Sequence, residues 1–276
     1  MENNGCPMRG QLPKVPGAKD VTYNSYLRVE ELTNLQTPLS EPAHHDEMLF
    51  IIIHQAYELW FKLMIHEIER AMDYMDKKEV LRAHHFVKRV VEIQKVLVQQ
   101  IHILETMTPV EFLEFRKNLM PASGFQSFQH REIEFMVGMK DPAYLEYFKH
   151  TPKFLEKIKK RLEGPDLSSS YLKLLNRLGY KIPEHYSTEN SETILKALKP
   201  VFQNPSNNLP LYLLSEALVD LDQGLALWRE HHVRVVERII GFKKGTGGSS
   251  GVEYLRSQTS KKAFPYLWEV RTQLEI

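Results

Sequence analysis

The sequence predicts an all-α fold, a single helical-bundle domain, from three observations. Apolar residues recur at three- and four-residue spacing through long stretches of the 276-residue chain. No segment alternates β-branched and polar residues at the two-residue period of a strand. The breaks between periodic stretches carry helix signals, with Thr or Asp before a Pro at helix starts and Gly or Pro after the last apolar position.

Residues 1–20, rich in Pro, Gly and Asn, read as a flexible leader to a domain over 21–276. A short amphipathic segment starts at Tyr23, and Leu39-Ser40-Glu41-Pro42 marks a turn. The strongest helix covers about residues 43–76, with Leu49, Phe50, Ile53, Leu59, Trp60, Leu63, Ile68 and Met72 in register, and a second covers 79–106. Thr108-Pro109-Val110-Glu111 is a capping box with proline at the first helical position; that helix stops near Met120, before Pro121 and Gly124. Shorter helices follow over 126–137 and 142–148, the latter capped by Asp141. Residues 153–199 give helical pieces broken at Gly164-Pro165, Gly179 and Pro183, and a long helix runs from about Pro210 to Phe242. A glycine-rich loop over 245–251 precedes a terminal helix.

Composition narrows the function. The 36 basic and 35 acidic residues give a net charge of +1, which argues against a nucleic-acid binder. One cysteine, Cys6, forms no intrachain disulfide and no cysteine-based metal site, and no role can be argued for it. The start of the chain has no secretory pattern, and the apolar run Leu49–Ile53 is cut by His54 and Gln55, so a cytoplasmic chain without a membrane span is the default reading.

Twelve histidines direct attention to imidazole chemistry. His66-Glu67-Ile68-Glu69-Arg70 fails the zinc-protease helix pattern, because its fifth residue is Arg. His44, His45, His84 and His85 read as helix-start or surface residues. His54 has Phe50, Ile51, Tyr57 and Glu58 as helical neighbours, so it is either a core histidine bonded to Glu58 or a carbonyl, or a functional group in an apolar pocket. Periodicity separates His231 from His232. The face of His232 carries Leu225, Trp228, Val235, Val236 and Ile239, interrupted mainly by Arg229, whereas that of His231 carries Gly224, Arg234 and Arg238. An inward imidazole suits an iron ligand in a haem pocket, although pattern alone leaves other uses open. The 245–251 loop is either a flexible connector or a mobile segment in which Thr246 and backbone N–H groups close on a small polar ligand.

Three long motifs, in order, resemble those of the tryptophan 2,3-dioxygenase family. They are Ser40-Glu41-Pro42-Ala43-His44-His45-Asp46-Glu47 through His54-Gln55 to Trp60; Phe115-Arg116 with Ser123-Gly124-Phe125-Gln126-Ser127; and Leu227-Trp228-Arg229 with His232, then Ile240-Gly241-Phe242-Lys243 to Val252. The likeness extends from about Tyr23 to the C-terminus and is loosest over 150–200.

The resemblance implies an all-helical homotetramer with one haem b per chain, ferrous when active. It implies a reaction of L-tryptophan with O2 that cleaves the indole C2–C3 bond to give N-formyl-L-kynurenine. It places the iron ligand at His232 and the distal histidine at His54, resolving the alternatives in favour of a functional imidazole. It places the substrate carboxylate contact at Arg116, the contact to the substrate's charged end at Thr246, and the pocket wall at Phe50 and Phe112. Ser123 and Gly124 fall beside haem and substrate, while Tyr23 and Leu27 fall on a segment that completes a neighbouring subunit's pocket. Two alternatives stand beside this reading: a related haem enzyme that hydroxylates or monooxygenates an aromatic amino acid or indole, and a haem sensor without turnover.

Overall fold

A computed structural model describes residues 21–275, so the 1–20 leader and Cys6 lie outside the described residues. The chain divides into two compact units, one ending at Thr37 and one beginning at Pro38. In the first, Thr22 and Ser25 form a capping box for α1 (Tyr23–Leu27), Arg28 takes the left-handed conformation at φ 52°, and α2 (Val29–Leu32) follows. Neither helix buries a residue; Tyr23 and Tyr26 are 75% and 76% exposed, and Leu27 is 43% exposed.

The second unit is built on three long helices, α3 (His45–Asp76), α4 (Val80–Leu104) and α10 (Leu209–Ile240), with α4 packed against both of the others. Their apolar stripes meet through Met64, Ile68 and Ala71 of α3, Val87, Val90 and Leu97 of α4, and Leu214, Leu218 and Leu221 of α10. Gly224 lets α4 approach α10: the Gln94 amide fills the space a side chain would need there and donates to the Leu221 carbonyl at 3.0 Å. The entrance to α3 is fixed by buried Glu47, which accepts from the backbone N–H groups of Leu39 (2.7 Å) and Ser40 (3.0 Å) and from the Ser40 hydroxyl.

Shorter helices close the bundle: α5 (Pro109–Arg116), α6 (Phe128–Val137), α7 (Pro152–Glu163), α8 (Leu167–Arg177), α9 (Ser191–Gln203), α11 (Val252–Gln258) and α12 (Pro265–Glu269). Among the described residues there is no strand. α3 packs against α6 and α8 as well as α4. Asp222 of α10 ties down the C-terminal segment, accepting from Ala263 N–H at 2.9 Å, Phe264 N–H at 3.1 Å and the Trp268 indole at 2.9 Å.

Several boundaries differ from the sequence expectation. The helix after Thr108 ends at Arg116 and continues as a 3-10 turn over Lys117–Leu119. Gln126 closes a 3-10 turn, Gly124–Gln126, and Ser127 caps α6 by accepting from the His130 N–H. Pro142–Phe148 is a 3-10 helix, capped by Asp141 as expected. α9 runs through Pro200 to Gln203, because Pro200 lies on the exposed side while Val201 and Phe202 are buried and hold the last turn. Against the sequence reading, α3 is long and apolar enough by composition to cross a membrane, since one imidazole and a few polar residues do not break its apolar character; its inner face packs on α4, α6 and α8.

Candidate active site

α3 carries Phe50 and His54 one turn apart, and α5 carries Phe112 and Phe115. The four rings form one aromatic group. The Phe50 and His54 centroids are 4.1 Å apart, those of Phe50 and Phe112 5.7 Å, and those of Phe50 and Phe115 5.7 Å. His54 is reached by solvent, yet the protein around it lowers its pKa through desolvation, so the ring is neutral near pH 7. Its Nδ1 lies 2.7 Å from the Phe50 carbonyl, which can only accept; Nδ1 therefore carries the proton and Nε2 has a lone pair.

α10 supplies His232, near enough to His54 for the two rings to interact electrostatically. Burial, with a smaller contribution from His54, lowers its pKa to about 4. Its ring stacks on Trp228 one turn earlier, with centroids 5.3 Å apart and planes inclined by 10°. No hydrogen bond within the described residues engages its nitrogens, so the imidazole is neutral and keeps a free lone pair. That is the donor a haem iron requires, and the enclosing aromatic and aliphatic groups suit an apolar macrocycle. The residues present therefore fit a haem.

The second motif and the glycine loop meet at the other sequence-predicted positions. Arg116, at the end of α5, donates through Nη2 to the Lys244 carbonyl at 2.5 Å. The Thr246 hydroxyl donates to the Ala122 carbonyl at 2.6 Å. A Cβ added to Gly247 would lie 2.6 Å from Ser123 Cβ and 2.8 Å from its Oγ, so the loop backbone rests on Ser123. Gly124 borders open space. The structure thus brings Arg116, Ser123 and the loop together, groups His54 with Phe50 and Phe112, and sets His232 against Trp228 within electrostatic reach of His54. Tyr23 and Leu27 belong to the N-terminal unit. A separate cavity of about 490 Å³ lies at the start of α3, with His44, Glu114 and Lys117 in its wall and neither His54 nor His232.

The sequence model of the tryptophan 2,3-dioxygenase family matches residues 11–199 and 195–274. Together the two matches span most of the chain. The chain belongs to the tryptophan 2,3-dioxygenase family. Among its relatives, the tryptophan 2,3-dioxygenase of Herpetosiphon aurantiacus is 45% identical over 258 residues, covering 92% of this chain and 98% of its own. That of Xanthomonas euvesicatoria pv. vesicatoria is 43% identical over 263 residues, covering 93% of this chain and 88% of its own. That of Xanthomonas campestris pv. campestris strain B100 is 41% identical over 263 residues.

Beside the residues foreseen for this family, the structure brings in a group that sequence reasoning missed. Arg229 interrupts the apolar stripe of His232, yet it is buried and pairs with Glu134 at 3.2 Å. Burial alone would raise the Glu134 pKa; the guanidiniums of Arg131 and Arg229 outweigh it and hold the carboxylate ionised. His130 lies between Phe61 and Trp228, with centroids 5.6 Å and 5.2 Å away, and burial pushes its pKa down to about 3. The one signal in the sequence was a charged residue on an otherwise apolar helical face; its partner lies far off in the chain, where no helical spacing points.

Proposed function

We propose that this chain is a haem-dependent tryptophan 2,3-dioxygenase that cleaves the indole C2–C3 bond of L-tryptophan with O2 to give N-formyl-L-kynurenine. The observation that carries the reading is family membership along nearly the whole chain, with relatives of that name 41–45% identical. The two neutral imidazoles, His54 and His232, which interact electrostatically, support it. His232 would hold one haem b per chain, and that haem, ferrous in the active state, would supply the activation of O2.

The remaining work falls to the chain's own side chains. A carboxylate entering an apolar pocket needs a charged partner, and the planar, permanently charged guanidinium of Arg116 is suited to hold both its oxygens. Its bond to the Lys244 carbonyl fixes the orientation of that fork and joins it to the loop. Thr246 would meet the other charged end of the substrate. Phe50 and Phe112 would flank the indole and exclude water, and Ser123 and Gly124 would border haem and substrate.

His54 acts by position. Indole N–H is a weaker acid than imidazolium by roughly ten pKa units, so full proton abstraction would be on the order of 14 kcal/mol uphill. A neutral His54 with its lone pair at Nε2 accepts a hydrogen bond from the indole N–H, orienting the ring and enriching C3 modestly.

The proposal includes a homotetramer, cytoplasmic in location, in which Tyr23 and Leu27 complete the pocket of a neighbouring chain. The exposed rings of Tyr23 and Tyr26 on a helical segment with no buried residue support that part. The test is to give the reduced, haem-loaded protein L-tryptophan and O2 and follow the near-ultraviolet absorbance of N-formylkynurenine. Its appearance supports the reading; its absence despite a normal haem spectrum refutes it.

A further inference from the structure

Two adjacent histidines on α10 point in different directions, since successive helical residues are about 100° apart. His232 stacks on Trp228 of its own helix. His231 faces the C-terminal end of α4, where His102 occupies the last turn and Glu105 is the C-cap. There one carboxylate receives two imidazoles. His102 Nδ1 lies 3.1 Å from Glu105 Oε2, and His231 Nε2 lies 3.4 Å from Glu105 Oε1. The two rings meet edge to face at 4.6 Å, and the three potential ligand atoms all lie within 4.8 Å of one another.

We propose that His102, Glu105 and His231 form a binding site for a divalent transition-metal cation, Zn2+ by its ligand chemistry, joining the end of α4 to α10. Two imidazole nitrogens and one carboxylate oxygen are the donors of a three-ligand zinc site, with water free to take a fourth position. Tetrahedral bonds of about 2.1 Å set neighbouring ligand atoms roughly 3.4 Å apart. The 3.1 Å and 3.4 Å separations, each to a different oxygen of Glu105, are near that spacing, and with one atom from each residue the set lies within 4.8 Å, so the side chains would draw together around an ion.

The surroundings favour a cation. The last carbonyls of α4 present the negative end of the helix dipole at this point. Two neutral imidazoles and the Glu105 carboxylate can supply electron pairs, and the hydrogen bond from His102 helps hold the Glu105 carboxyl below its ordinary range. The side chain of His102 is 50% exposed, which gives an ion a route in, while those of Glu105 and His231 are 20% and 24% exposed. As a purely ionic arrangement, a half-exposed His–Glu pair contributes little. A metal would couple two helices that already pack together, one residue from His232.

The experiment uses the full-length, haem-loaded protein, freed of other metals by chelation. Equilibrium dialysis against Zn2+ with metal analysis should find a site whose affinity falls at least tenfold in His102→Ala and in Glu105→Gln. Zn2+ should also raise the thermal midpoint of the parent and not of His102→Ala. Anomalous scattering at the zinc edge should place a peak between the three side chains, a readout that needs no variant. Equal Zn2+ binding by parent and His102→Ala, or an anomalous map with no peak among these residues, overturns the proposal.

Discussion

The Nδ1–H of His54 donates to the carbonyl of Phe50, one helical turn earlier, at 2.7 Å. That bond settles the tautomer and leaves Nε2 as an acceptor. Burial lowers the pKa of the ring, which keeps it unprotonated in the physiological range. The proposed role is positioning, and it separates binding geometry from proton transfer. His54→Ala should retain measurable turnover, reduced by roughly ten- to a hundredfold, the scale of a lost positioning contact. Steady-state kinetics checks this. A variant that binds haem and tryptophan normally but shows no turnover would instead make His54 an obligate base.

Arg116 offers a planar fork with one arm already bonded to the Lys244 carbonyl. Arg116→Lys keeps the charge and loses both the fork and that arm. The KM for tryptophan should rise well beyond tenfold, equivalent to more than about 1.4 kcal/mol of binding. Unchanged kinetics would remove Arg116 from the site.

Gly247 rests against Ser123, and a methyl group there would lie 2.6 Å from Ser123 Cβ. Neither backbone-proximal atom can rotate away, so Gly247→Ala should displace the loop and break the Thr246–Ala122 bond. The expected result is a raised KM with normal haem content, measured by parallel kinetics and haem spectra. Wild-type kinetics would show that the loop's seating is irrelevant to substrate.

His232 makes no hydrogen bond inside the described residues, so its removal strands no polar partner, while the space beside Trp228 is left for imidazole to refill. His232→Gly should keep its far-ultraviolet circular dichroism, lose most haem on purification, and regain it when free imidazole is added. Full haem retention without imidazole would place the iron ligand elsewhere.

His130 links acidity to stability. Its pKa falls from 6.5 to about 3 in the folded chain, so between those values the unfolded state binds the extra proton. This contribution is complete above pH 6.5 and fades as the pH drops through the window. Moving from pH 7.5 to 5.5 should cost on the order of 1 kcal/mol through this residue, and His130→Gln should remove that part of the dependence. Urea midpoints at the two pH values check it; identical pH dependence in parent and variant would refute it.

Much of this was legible in the sequence because it is local. The capping box at Thr108, the Asp141 cap and the periodicity that turns His232 inward and His231 away each depend on residues within one or two turns. Non-local partners were not legible. Arg229 interrupts an apolar stripe until Glu134 from α6 meets it. The Glu105 carboxylate between His102 and His231 depends on how α4 and α10 pack, which no spacing along either helix encodes. The aromatic wall was half visible: Phe50 and Phe112 matched a motif, while the part played by Phe115 emerged only from ring contacts across α3 and α5.

The central claim is that both atoms of O2 enter one molecule of tryptophan. It is tested most directly by supplying the reduced, haem-loaded protein with L-tryptophan under 18O2 and weighing the product by mass spectrometry. The account predicts N-formyl-L-kynurenine carrying two labelled oxygen atoms. A hydroxylated product carrying one labelled atom, or no product from a fully haem-loaded protein, would contradict it.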